Sequence, residues 1–155
     1  MDHLAIMKPS LRLIAKILTG EKYIESRWYK HRRAPWGKVC VGDRIFFKDA
    51  GKVVTATARV SKVIQLQVNS PEEALKYAKT YQKGICLSPE ATSSNTQWLI
   101  GKKYIILLYL NDARPITPFP INKSGYGNAC AWITCESVTQ LTENATPRPL
   151  SKRHG

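Results

Sequence analysis

The chain has 155 residues and a formal net charge of +13, from 24 Lys and Arg against 11 Asp and Glu. Hydrophobic residues make up 43% of it, and no apolar run approaches the ~20 residues of a membrane-spanning helix. We therefore predict one folded domain and no membrane segment. The early acid Asp2 and the short apolar patch after it argue against a signal peptide, which favours a cytoplasmic protein.

The cysteines and histidines are too scattered to predict a structural metal. The four cysteines contain no C-x-x-C pair, and two of the three histidines lie near the ends of the chain. Structural zinc sites need closely spaced pairs of ligands. We therefore expect reduced thiols that pack as small hydrophobic side chains, with no metal and no cofactor.

The first predicted elements are a strand at 4–7 and a helix at 9–18. Pro9 suits the first turn of a helix, and the apolar residues after it recur on one helical face. Gly20 follows where a helix end needs a residue that tolerates positive φ. The lysines of this helix occupy its polar side, which is typical of a solvated face unless that face borders a site.

The stretch after Gly20 brings together Lys22, Glu25 and Arg27. Its aromatic and β-branched residues favour a strand, in which Glu25 and Arg27 point to the same side. Lys22 is expected at the mouth of this strand, where desolvation can lower its pKa and make it a base. Lys22 and Glu25 are thus candidate catalytic residues, whereas Arg27 suits the binding of a phosphate or carboxylate. A structural ion-pair network is the alternative.

Residues 29–38 contain Pro35 and Gly37 and are predicted as a loop. From Arg27 to Lys38 the chain carries several basic residues and no acid. Basic residues interleaved with aromatic ones suit a phosphate track with stacking platforms, although Trp36 could instead fold back on the domain as a lid. The predicted nucleic-acid-binding residues are Arg27, Trp28, Lys30, Arg32, Arg33, Trp36 and Lys38.

The rest of the chain predicts more strand than helix. Ser70 and Glu73 form a capping box, so a second helix begins at Pro71 and ends near Gly84, with Lys76, Lys79 and Lys83 on a solvated side. The other predicted elements are strands at 44–48, 54–60, 104–110 and 129–136, a hairpin turn at 49–51, and loops at 87–96 and 111–128.

These elements define one domain at 1–141 and a basic tail, predicted to be disordered, at 142–155. Most strands are expected to pair with antiparallel neighbours, and the strand at 104–110 is apolar throughout, as in a strand buried on both faces. The fold class is therefore α+β and mainly β: a partly closed antiparallel β-barrel with two or three helices.

A short motif resembles a known family. Four residues match the G-x-K-x-x-E-x-R signature of the ASCH family, a branch of the PUA-like barrels: Gly20, Lys22, Glu25 and Arg27. The segment Val41-Gly42-Asp43 resembles the turn that follows this signature in such barrels. The resemblance covers roughly residues 4–63 well and implies a PUA-like barrel with a ligand cleft around the signature.

Charge and resemblance together leave three functions open. The first is a monomeric module that binds RNA, another nucleic acid or a modified nucleoside in a basic cleft around the signature. The second is a hydrolase, because some ASCH-like proteins are similar to N4-acetylcytidine amidohydrolases and others to ribonucleases. The third is a protein-interaction module in the regulation of transcription or translation. The positive charge favours nucleic acid, so binding is the first choice.

The amidohydrolase comparison is incomplete in this chain. In the enzymes of that type, a lysine matching Lys22 activates a threonine, and a glutamate comes from farther along the chain. Here Glu25 stands at the threonine position and offers no hydroxyl nucleophile. Glu72 and Glu73 are the candidates for the distal glutamate, and their match is loose.

Overall fold

The computed structural model describes residues 1–93, 96–127 and 130–142. Its strands are β1 (Asp2–Met7), β2 (Ile24–Tyr29), β3 (Arg44–Asp49), β4 (Val54–Gln67), β5 (Tyr104–Phe119) and β6 (Trp132–Cys135). Its α-helices are α1 (Leu13–Thr19), α2 (Pro71–Ile85) and α3 (Pro89–Ser93). The strands form one sheet in the order β2-β5-β4-β3-β1-β6, which curls into a half-barrel.

The predicted α+β, mainly-β half-barrel is confirmed, with one parallel pair in an otherwise antiparallel sheet. β1 pairs in parallel with β3 and antiparallel with β6, so it lies inside the sheet. A parallel pair needs a long crossover, and here the chain between β1 and β3 contains α1 and β2. This crossover brings α1 and the signature residues to the open side of the half-barrel, where the edge strands β2 and β6 are not paired with each other.

The first helix begins later than predicted. Pro9–Leu11 forms a 3-10 turn, and Arg12 then adopts a left-handed φ of 52° before α1 starts. Gly20 ends α1 with a φ of 83°, and its N–H donates to the carbonyl of Ile17. Positive φ has little steric cost only at glycine, so the helix end was correctly predicted.

Strand β5 builds the core on both of its faces. Ile106 and Leu108 point into the half-barrel with the main core, whereas Ile105 and Leu107 pack outside it against α2. All four side chains are fully buried, as the apolar run predicted.

The prediction of a loop at 111–128 is wrong for its first half, because β5 continues to Phe119 along β4. The prolines of this segment pointed to a loop, because proline lacks the N–H that a strand donates to its neighbour. Pro115 and the region up to Phe119 lie where the register of the pair shifts, and a missing N–H is tolerated at such irregularities.

The loop prediction at 87–96 is also incomplete, because it contains α3. The Ser88 hydroxyl accepts the N–H of Ala91, and the Trp98 indole donates to the carbonyl of Ala91. These polar contacts hold a short helix whose sequence has little apolar periodicity.

The end of the described chain packs against a second hydrophobic cluster, in which Val138 and Leu141 join Leu4 of β1 and Phe46 of β3. β6 is shorter than the predicted 129–136 strand, and Thr142 pairs with Ile121 in an isolated bridge. The rest of the predicted tail lies outside the described residues.

The four cysteines are free thiols. Cys135 is buried, as expected for a thiol that packs as a small hydrophobic side chain, whereas Cys40 is exposed and does not follow that expectation.

In the part of the chain that the structure describes, no group of His, Cys, Asp and Glu could hold a metal ion. A search of its helices likewise finds none with the length and apolar character needed to cross a membrane.

Helix α2 packs tightly on β2 at its last turn. Ser70 caps the start of the helix by accepting the N–H of Glu73. Near the end, a Cβ on Gly84 would lie 2.6 Å from Cδ1 of Ile24 and 2.9 Å from the Tyr23 ring. The Tyr23 N–H also donates to the Gly84 carbonyl at 3.0 Å. Only glycine allows this approach of helix and strand.

We predict that Gly84→Ala destabilises the protein by ~1–3 kcal/mol through overpacking, despite the better helix propensity of alanine. Chemical denaturation measures the change in unfolding free energy. In an Ile24→Val background, which lacks the closest atom, the penalty should be smaller. A stabilising Gly84→Ala would contradict the close packing.

A buried histidine ties β1 to the Val41-Gly42-Asp43 turn. The Trp132 indole N–H donates to His3 Nδ1 at 3.2 Å, so that nitrogen carries no proton. The proton therefore lies on Nε2, which donates to Asp43 Oδ2 at 2.8 Å. Burial lowers the pKa of His3, and the opposing effect of Asp43 does not restore it. His3 is thus held neutral in the folded protein.

This predicts a loss of stability below neutral pH. The unfolded chain binds a proton on His3 below about pH 6.5, whereas the folded protein binds it only at lower pH. The unfolding free energy should therefore fall between about pH 7 and pH 5, and less so in His3→Gln. Denaturation at a series of pH values measures both slopes, and equal slopes would refute the assignment.

Candidate functional site

Lys22 is buried at the junction of α2 and β2. Its Nζ donates to the carbonyls of Ile24 at 2.7 Å and Ile85 at 2.9 Å, and it lies 3.3 Å from Glu25 Oε1. The residue is only 2% exposed, so it lies inside the helix–strand junction and not free at the mouth of the strand. Three acceptors surround the ammonium, which has three N–H donors. Lys22 is therefore a structural donor rather than a free base.

Glu25 is held between two cations. Its Oε1 faces Lys22, and its Oε2 accepts Arg27 Nε at 3.0 Å and lies 2.9 Å from Arg27 Nη2. Burial by itself raises the pKa of Glu25, but the charges and hydrogen bonds of Lys22 and Arg27 outweigh it and lower the pKa below its ordinary value. The carboxylate is ionised and fully engaged. As expected from strand periodicity, Glu25 and Arg27 lie on one face of β2.

Arg27 crosses the open side of the half-barrel. Its guanidinium donates to the carbonyls of Ala131 at 3.2 Å and Ile6 at 3.4 Å. It also lies over the Trp132 ring, 5.2 Å from the centroid. One edge strand, β2, is thereby joined to β1 and to the start of β6 at the other edge. The structural ion-pair network considered from the sequence is what these three residues form.

We predict that Lys22→Met destabilises the protein by ~3–5 kcal/mol, because it removes one partner of a buried ion pair and leaves Glu25 undercompensated. Thermal and denaturant unfolding measure the loss. Lys83→Met, an exposed change of the same kind on α2, should stay within about 0.5 kcal/mol of wild type. Similar stability of the two variants would show that the network carries little energy.

A cleft opens beside this network, and we call it the signature cleft. Its volume is about 1240 Å³, and it lies between α1, the signature, the end of α2 and α3. Lys22, Glu25 and Arg27 all border it. Its other charged lining residues are Lys8, Lys16, Lys83, Glu21 and Glu90, and its larger apolar ones include Leu11, Leu13, Tyr23 and Trp98.

The sequence predicted a solvated position for Lys83, and for the lysines of the first helix unless their face bordered a site, as the face with Lys16 does. Lys16 lies on α1 and Lys83 on α2, two elements far apart in sequence. The sequence places Lys16 one helical turn before Gly20, and in the structure the Lys16 carbonyl accepts the N–H of Lys22 at 3.0 Å. No local pattern marks Lys83 or Trp98, since only the folding of α2 onto β2 brings them here.

The predicted site residues are divided between two places. Lys22, Glu25 and Arg27 border the signature cleft, whereas the predicted residues of the 30–38 loop do not. That loop leaves from the other end of β2. Trp28 contacts Trp98 at 5.0 Å between ring centroids, and its indole donates to Ser26. Trp36 packs against the main core and meets Tyr104 edge-on at 5.1 Å, which agrees with the lid considered from the sequence.

The curled mixed sheet, with α1 leading into the edge strand β2, defines a mainly-β half-barrel. More narrowly, the fold is similar to the crystal structure of ASCH from Zymomonas mobilis, with a TM-score of 0.64 and 19% identity over 90% of this chain and 91% of that one. Two single-residue mutants of that protein match with the same TM-score and 18% identity over 90% of this chain, and over 94% and 92% of theirs. The expected ASCH-like fold is thus confirmed.

Comparison with protein-family models and with curated protein sequences gives no match. The similarity therefore establishes the fold, and function has to be argued from the site.

Proposed function

We propose that this protein is an RNA-binding module that takes a nucleotide of its RNA into the signature cleft. The observation that carries the proposal is the set of lysines around the opening: Lys8, Lys16 and Lys83. Within the described residues, none of the three forms an ion pair with a carboxylate. Unpaired ammonium groups that outnumber the two other carboxylates of the lining, Glu21 and Glu90, suit phosphate.

The lining suits the remainder of a nucleotide. Ligand sites typically have volumes of about 300–1,000 Å³ and combine apolar walls with a few polar groups. The signature cleft is slightly larger, and Trp98 adds an aromatic ring to its lining. Bases of single-stranded RNA are commonly bound against such rings. The cleft thus offers both phosphate and base contacts.

The geometry favours binding over hydrolysis. A general base needs a free lone pair within reach of the substrate, and the Lys22 ammonium is occupied by its three acceptors. The Glu25 carboxylate is shared between two cations and is a weak base. These contacts count against the hydrolase alternative, and the high positive charge counts against a partner that is purely protein.

We predict that Lys16→Ala with Lys83→Ala weakens the binding of a short single-stranded RNA. Losing two phosphate contacts should reduce the slope of log affinity against log salt by ~1.4 units. Fluorescence anisotropy over a salt series measures this slope, and gel analysis of the same RNA shows whether it is cleaved.

Lys76→Ala with Lys79→Ala is the matched control, because it removes the same charge from exposed positions of α2 outside the cleft. It should keep nearly the wild-type slope. If wild-type protein binds no RNA, or if both double variants behave alike, the signature cleft is not the RNA site.

A further inference from the structure

A second basic surface lies at the other end of β2, where two segments meet. The Lys103 N–H donates to the Tyr29 carbonyl at 2.8 Å, which joins the turn before β5 to the loop after β2. The Lys30 side chain lies over Gly101, since a Cβ there would be 3.3 Å from Lys30 Cε. We call this the loop surface, and its cations are Lys30, Arg32, Arg33, Lys102 and Lys103.

The positive charges of the loop surface have no nearby compensation. The sequence holds no acid at 26–42 or at 91–111. Among the described residues, none of the five cations forms an ion pair. Burial lowers the pKa of Lys102, and the charge of Lys30 lowers it further. A bound anion would relieve this repulsion.

The arginines are oriented by aromatic rings. The Arg33 guanidinium lies over the Tyr29 ring at 5.0 Å, and the Arg32 guanidinium lies over the Tyr104 ring at 5.5 Å. Trp36 also contacts Tyr104 and packs against the core. Arginine stacked in this way keeps its planar set of donors available for phosphate. The rings themselves are engaged by protein groups, unlike the free stacking platforms expected from the sequence.

We infer that the loop surface binds the sugar-phosphate backbone of the RNA whose nucleotide occupies the signature cleft, and that it does so without contacting bases. This rests on the proposed function. Glu25 and Tyr29, at the two ends of β2, are about 13 Å apart along the strand. A mononucleotide in the cleft therefore does not reach the loop surface, whereas a longer strand does.

The test uses two double variants, Arg32→Ala with Arg33→Ala and Lys102→Ala with Lys103→Ala. Each should lower the salt slope for single-stranded RNA by ~1.4 units, for two lost phosphate contacts. The fold-loss in affinity should be the same for an abasic strand of equal length, because phosphates position a strand without reading its bases. Lys76→Ala with Lys79→Ala is again the control with equal charge change.

Arg32→Lys with Arg33→Lys keeps both charges but loses the planar donors, so it should keep nearly the wild-type salt slope with a lower affinity. A slope that is retained in this variant and reduced in Arg32→Ala with Arg33→Ala assigns the effect to phosphate contacts. The inference is overturned if the loop variants match the control while Lys16→Ala with Lys83→Ala still weakens binding. It is also overturned if the loop variants lose affinity for RNA but not for the abasic strand. Absence of RNA binding by the wild-type protein would instead contradict the proposed function itself.

Discussion

Arg27 reaches across the open side of the half-barrel, and its guanidinium is oriented by Glu25. Glu25 is in turn held by Lys22, whose ammonium binds the last carbonyl of α2 at Ile85. One continuous set of charges, buried at Lys22 and Glu25 and partly buried at Arg27, therefore connects α2, the edge strand β2 and the opposite edge of the sheet. A curled sheet with two free edges has no backbone pairing there, so side chains have to join them.

This network also determines which side chains of the cleft are free to interact with a ligand. Burying charges is favourable only when each is paired and hydrogen-bonded, and that requirement occupies Lys22 and Glu25. The signature residues Lys22, Glu25 and Arg27 thus form one wall of the signature cleft, held in place by their own contacts. Other elements bring further side chains to the same cleft, among them Lys16 and Lys83, which form no ion pair among the described residues.

The buried acids are matched by paired cations, so most of the net positive charge is left on the surface. Asp2, Glu25 and Asp43 are all nearly inaccessible. Asp2 pairs with Arg44 and Glu25 pairs with Lys22 and Arg27, whereas Asp43 accepts hydrogen bonds from neutral His3 and from the Cys40 N–H. Their carboxylates are therefore engaged by partners inside the fold. The exposed lysines and arginines of the signature cleft and of the loop surface consequently lack carboxylate partners among the described residues, which favours a polyanionic ligand at both places.

Local patterns in the sequence were enough to predict three features: the end of α1 at Gly20, the capped start of α2 at Ser70 and the centre of β5 that is buried on both faces. Each depends on contacts within a few residues or on the burial of one apolar run. The extension of β5 to Phe119, the burial of Lys22 and the separation of the signature cleft from the loop surface were decided by tertiary structure. Those features depend on partners that lie far away in sequence, namely β4, Ile85 of α2 and Ala131. No periodicity within a segment shows which distant element will supply its hydrogen bonds.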